Sequence, residues 1–136
     1  MDTFSTIDIA ATGASFGQTW LEAIGHNIAN ANTVRSADEE PFRAKFLRAE
    51  EVTATDGGGS GEGVRLAEVV VAEDTAPIVF DPDHPLANDE GYIVRPVIDM
   101  AGQMSDLIVA QRHYQFNLRV IDSARMAYES ALRLGR

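Results

Sequence analysis

The sequence has no cysteine, so neither a disulfide framework nor a thiolate metal site is open to it, and its redox compartment stays undecided. Basic residues are scarce too: 11 Lys and Arg stand against 21 Asp and Glu, for a net charge of −10. That balance leaves no electrostatic footprint for a phosphate backbone, which argues against nucleic acid as a partner. The first basic residue is Arg35, so the basic n-region of a cleavable secretory signal is missing and export by that route is not expected. Thr, Ser, Asn and Gln interrupt the N-terminal segment before any apolar run reaches about 18 residues, and no direct membrane span is expected. Charge itself is nearly missing from one end, since only Asp8 and Glu22 are ionised between Thr3 and Thr33. A helix so poor in charge on every side is expected to be buried on every side.

What that end does contain is a repeat. Ile7, Ala10, Ala14, Gly17, Leu21, Ile24, Ile28 and Ala31 follow alternating steps of three and four, the spacing of a coiled-coil seam. The far end repeats it with Met100, Met104, Leu107, Tyr114, Leu118, Ile121, Tyr128 and Leu132, where Gln111 and Arg125 are the polar entries in the register. The spacing predicts one helix over 4–30 and another from about Pro96 to the chain end, where Pro96 and Asp99 suit a helix N-terminus. At 1.5 Å per residue the second helix would reach roughly 50 Å, longer than the one modest core that 136 residues can bury. Gly13, Gly17 and Gly25 each cost the first helix about 1 kcal/mol against alanine, a cost that close packing against other helices would offset. Tyr114 and Asn117 fall on and beside the C-terminal seam, and an asparagine there can fix register.

The middle is different. Asn30, Ala31, Asn32 and Thr33 form an Asn-rich stretch that ends the helix and turns the chain. Phe42, Ala44 and Phe46 alternate with Arg43 and Lys45, a strand pattern, and a second strand is expected over 64–72. Between them, residues 56–63 are rich in glycine, but no Lys and Ser/Thr pair follows and no helix comes next. A flexible hairpin loop therefore accounts for them better than a phosphate loop. Short strands are expected at Ile78–Phe80 and Tyr92–Val94. The acidic residues between them, Asp81, Asp83, Asp89 and Glu90, invite a calcium reading. They lack the EF-hand offsets, and Pro82 and Pro85 brace the segment, so a surface turn is expected. His26, His84 and His113 have no i, i+4 partner for zinc, and no nucleophile elbow or acid–base carboxylate pair stands out. No enzyme activity and no cofactor are expected. The fold class read here is mainly α with a small β part: long N- and C-terminal helices pairing as a coiled coil, with a short β-rich middle. The divisions are an N-terminal axial helix over 1–33, a middle over 34–96 with the Gly-rich loop, and a C-terminal axial helix over 97–136. Residue pattern alone leaves open an assembling structural subunit, a soluble coiled-coil adaptor, and a metal-dependent enzyme built on residues 81–90.

A resemblance narrows this. Ile24, Gly25, His26, Asn27, Ile28, Ala29, Asn30, Ala31, Asn32 and Thr33 resemble the N-terminal signature of bacterial flagellar rod and hook axial proteins. The stretch from Asp81, Pro82, Asp83, His84 and Pro85 to Glu90, Gly91 and Tyr92 is similar, more narrowly, to members of the proximal rod. So is the run Met104, Ser105, Asp106, Leu107 and Ile108 through Arg112, His113, Tyr114, Gln115 and Asn117 to Leu134, Gly135 and Arg136.

The resemblance implies a structural, non-enzymatic subunit of the proximal rod that assembles helically and transmits torque from motor to hook and filament. It implies as partners other rod proteins and further copies of itself, a rod-base adaptor with MS-ring or export-gate components, and the flagellar type III export apparatus. It places the protein in the basal body, in the rod that crosses the periplasm, delivered without signal cleavage. Assembly contacts are expected at Ile7, Ala14, Leu21, Ile24, Asn27, Ile28, Ala29, Asn30 and Asn32, and at Leu107, Tyr114, Asn117, Leu118 and Ile121. Ile7, Ala14, Leu21 and Ile28 are expected against the C-terminal seam, and the glycine and alanine faces against adjacent subunits. Before assembly, apolar ends without their neighbours lack the burial that offsets ordering entropy, so poor order is expected there.

Overall fold

The computed structural model describes residues 3–53 and 61–135. Two helices, α1 (Thr3–Ala29) and α2 (Met100–Leu134), enclose five strands in chain order: β1 (Arg35–Ser36), β2 (Lys45–Thr53), β3 (Gly61–Val71), β4 (Ile78–Phe80) and β5 (Tyr92–Val94). The architecture is mainly α with a small β part.

The helices pack side by side and antiparallel. Asn27 of α1 lies level with Gln103 of α2, Gly17 with His113 and Tyr114, and Gly13 with Asn117. By helix rise α1 is about 40 Å long and α2 about 52 Å, so the last turns of α2 run past the start of α1. Asp99 caps α2, and Gln103 N donates to its carbonyl at 2.9 Å. The Asp99 carboxylate lies over the first turn, where a Cβ on Gly102 would sit 2.6 Å from it. Negative charge is favourable at that end of a helix. Pro96 lies ahead of the helix rather than in its first turn, and α2 begins four residues later than the proline pattern predicts.

Strands β2 and β3 form an antiparallel hairpin with register shifts at Arg48/Ala49 and Val52/Thr53. Arg48 pairs with Glu68 and Arg65 with Glu50 across it, but these groups are exposed and such pairs contribute little. The second sheet has the order β1-β5-β4, all antiparallel. Two readings are corrected. The strand expected at Phe42 starts only at Lys45, because Phe42 is turned to stack on His26, 5.3 Å between ring centroids. Gly61 and Gly63 are not loop but strand, opposite Thr53 and Val52; the rest of the Gly-rich loop, residues 56–60, lies outside the described residues.

The core is thin. Among the described residues the buried apolar side chains are Ala10, Ala14, Ile24, Ala44, Ile93, Val94 and Ala110. Four of these are alanine, so α1 and α2 meet through small groups.

Candidate assembly interface

Asn27 is the point where three elements are tied together. It is 1% exposed, two residues from the end of α1, on the side where α2 and the start of β2 converge. Its Nδ2 donates to Lys45 O at 2.8 Å and to Gln103 Oε1 at 2.9 Å, and its Oδ1 accepts from Lys45 N at 2.8 Å. The amide thus pairs with the main chain of Lys45 as a neighbouring strand would, while holding α2. Gln103, itself buried, is the partner that sequence reasoning missed: it sits 76 residues away and one position off the apolar stripe.

Asn30 closes the helix. Its Nδ2 donates to His26 O at 2.8 Å, which also accepts from Asn30 N at 3.2 Å, and its Oδ1 accepts from Thr33 Oγ1 at 3.2 Å, so the last turn is fastened from the helix to the turn that follows it. Thr12 is a second, unforeseen anchor. Its hydroxyl donates to Ile9 O at 2.7 Å and accepts from Val64 N at 3.1 Å, pinning the hairpin to α1. Gly63 makes this possible: its φ is +133°, and a Cβ there would collide with Thr12 Oγ1.

Between the helices, glycine decides the spacing. A Cβ on Gly13 would stand 2.6 Å from Asn117 Oδ1, and one on Gly17 3.1 Å from His113 Nδ1 and 3.4 Å from Tyr114 Cα. The His113 ring lies edge-on to Phe16 and Trp20, with centroids 6.4 and 6.5 Å away, and its Nδ1 is buried without a hydrogen-bond partner. Asn117 turns back to donate to His113 O at 2.9 Å. Gly13 and Gly17 therefore face α2 of their own chain, not adjacent subunits as the glycine pattern predicts. Gly25 differs, with nothing within 4 Å of a built Cβ.

The C-terminal register needs a correction of one position on alternate turns. The face of α2 against α1 carries Gln103, Ala110, His113, Tyr114 and Asn117. Leu107, Tyr114 and Ile121 belong to it, half-buried, but Met104, Leu118, Gln111 and Arg125 are exposed. Small and polar residues won the inner positions because the glycines and alanines of α1 bring the backbones too close for Met or Leu. The polar entries Gln111 and Arg125 were the readable sign of it.

The remaining expected contacts fall on both sides. Ala14 and Ile24 are buried, and Ile7, Leu21, Ile28, Asn30 and Asn117 half-buried, whereas Ala29, Asn32 and Leu118 are exposed. Large apolar groups stand out in water along α2: Ile108 at 51%, Phe116 at 66% and Met126 at 61% exposed, joined by Met104, Val109 and Leu132.

Residues 81–91 are organised by Asn88. Its Oδ1 accepts from Glu90 N at 3.1 Å and Tyr92 N at 2.8 Å, and its Nδ2 donates to Asp38 at 3.2 Å. Gly91, at φ +82°, lets the chain pass under Phe80 and Pro82. Among the described residues no three His, Asp or Glu side chains converge there or elsewhere, and no helix is long and apolar enough to cross a membrane.

A helix pair with an alanine-sized core, and its large apolar groups turned outward, defines a structural subunit made for assembly. Comparison with known proteins gives the same class. Residues 90–134 match the family model of the flagellar basal body rod FlgEFG protein C-terminal region. The flagellar basal-body rod protein FlgC of Escherichia coli O6:H1 is 32% identical over 136 residues, and that of Yersinia enterocolitica 36% over 138, with all of both chains covered in each case. FlgC of Bacillus subtilis is 24% identical over 150 residues, again with both chains fully covered. The chain belongs to the FlgC family of flagellar basal-body rod proteins. It is a structural rod subunit, and its family is not one of enzymes.

Proposed function

We propose that this subunit builds the proximal rod, where it packs helically with other rod proteins and with its own copies and carries torque from the motor to hook and filament. The observation that carries this reading is surface in excess. The chain exposes 9407 Å², whereas a compact monomer of 14.7 kDa would expose about 6,900 Å². Apolar area returns roughly 25 cal/mol per Å² when neighbours remove it from water, and a head-to-tail contact that does not close generates a rod.

Within that reading the two helices are one axial unit, α1 with the turn to residue 33 and α2 with residues 97–136, wound about each other as a coiled coil. The segment between them, 34–96, is a β-containing part set against it. The contact set comprises Ile7, Ala14, Leu21, Ile24, Asn27, Ile28, Ala29, Asn30 and Asn32 with Leu107, Tyr114, Asn117, Leu118 and Ile121. The buried and half-buried members hold the pair, and Ala29, Asn32 and Leu118 are free to touch neighbours. At the rod base the partners are an adaptor with MS-ring or export-gate components, and the location is the rod across the periplasm. Delivery is by the flagellar type III apparatus without cleavage, as the family resemblance implies. The test is Leu21→Asp, which places a carboxylate on a half-buried position of α1. Loss of swimming with the protein still produced is the expected result; normal swimming would refute it.

A further inference from the structure

The outward face of α1 carries a second stripe of alternating three- and four-residue steps, including Asp8, Ala11, Ser15, Glu22, Gly25 and Ala29, all exposed. Gly25 has no reason within its own chain, because a Cβ there meets nothing within 4 Å, yet a glycine inside a helix is destabilising relative to alanine. The outward face of α2 carries a stripe with the same steps and the opposite character. It includes Phe116, Arg119, Ser123, Met126 and Arg133, all exposed, with Phe116 at 66% and Met126 at 61%. Among the described residues Asp8, Glu22, Arg119 and Arg133 form no ion pair within the chain. Gln18 Nε2 donates to Glu22 Oε1 at 3.2 Å and holds that carboxylate on the face.

The two stripes match in spacing. Asp8 and Glu22 are four helical turns apart, about 21 Å, and so are Arg119 and Arg133. We propose that the α1 stripe of one copy docks antiparallel on the α2 stripe of a second copy of this chain. Asp8 then lies on Arg133 and Glu22 on Arg119. In that register Gly25 falls opposite Phe116 and Ser15 opposite Met126, so two small residues receive the two large apolar ones of the stripe. The direction follows from the fold: α1 and α2 are antiparallel within a chain, so they are antiparallel between copies that point the same way along a filament. Exposed ion pairs add little affinity singly, but they select register and partner. This inference rests on the rod-subunit reading and names one contact within it.

Charge exchange and cross-linking test it in cells. Glu22→Arg, which sets like charges against each other at every copy of the contact, is expected to reduce swimming and Arg119→Glu in the same chain to restore it; normal swimming by the single variant, or no rescue by the double, overturns the contact. Ser15→Cys with Met126→Cys, treated with a short bis-maleimide in purified basal bodies, is expected to give a ladder of dimers and higher multimers. Within one chain those positions are offset by about 16 Å along the helices, so a link reports two copies. No ladder overturns the proposal. If a strain lacking the protein still builds rods, the rod-subunit reading fails as well; rods lost without a ladder refutes this contact alone.

Discussion

Asn27 makes three hydrogen bonds with one amide, to two elements other than its own. Replacing it with alanine would leave Gln103 and the Lys45 main chain without those partners, and unsatisfied buried groups cost about 1–3 kcal/mol. Asn27→Ala should therefore lower the unfolding free energy by about 2 kcal/mol, read as a fall in the urea midpoint; an unchanged midpoint would refute the tie. The glycines give an opposed pair. Gly63→Ala forces a Cβ into Thr12 at a φ of +133° and should cost about 2 kcal/mol. Gly25→Ala meets open space and should stabilise the isolated chain by about 0.5–1 kcal/mol, a gain that thermal melting of both variants would show. Asn27 and Asn30 could be picked out in the sequence by their place in a known signature. Gln103 and Thr12 could not, because their partners come from segments far along the chain and neither residue type signals a long-range bond by itself.

At the scale of elements, both helices were legible from periodicity, since small and apolar residues recur at the helical repeat over seven or more turns. The face that each presents was legible for α1 but only partly for α2. Hydrophobicity ranks Met104 and Leu118 as inward, yet the close approach set by Gly13 and Gly17 favours Gln103, Ala110 and Asn117. Packing distance, which no single helix reveals, decided the face. The start of β2 was misplaced for a similar reason, as Phe42 finds a better partner in the His26 ring than in a strand. A helix pair with so few buried side chains has little to hold it before assembly. Hydrogen exchange on the unassembled chain should show weak protection over residues 4–30 that rises on incorporation into rods; strong protection in the free chain would contradict this.

At the scale of the whole molecule, the two sheets and the helix pair leave more surface in water than a chain of this mass keeps when it works alone, and much of it is apolar along α2. That surplus was foreshadowed by the near absence of charge between Thr3 and Thr33, although among the described residues the exposed large apolar side chains lie on α2 and in the segment between the helices rather than on α1. Most of the net charge of −10 falls on residues 34–96, which hold 14 acidic against 6 basic residues and stay solvated on that account. The most direct test of a rod-building role is electron microscopy of basal bodies purified from a strain that lacks this protein. Rings without attached rod, hook or filament are the predicted result, and intact rods would contradict it.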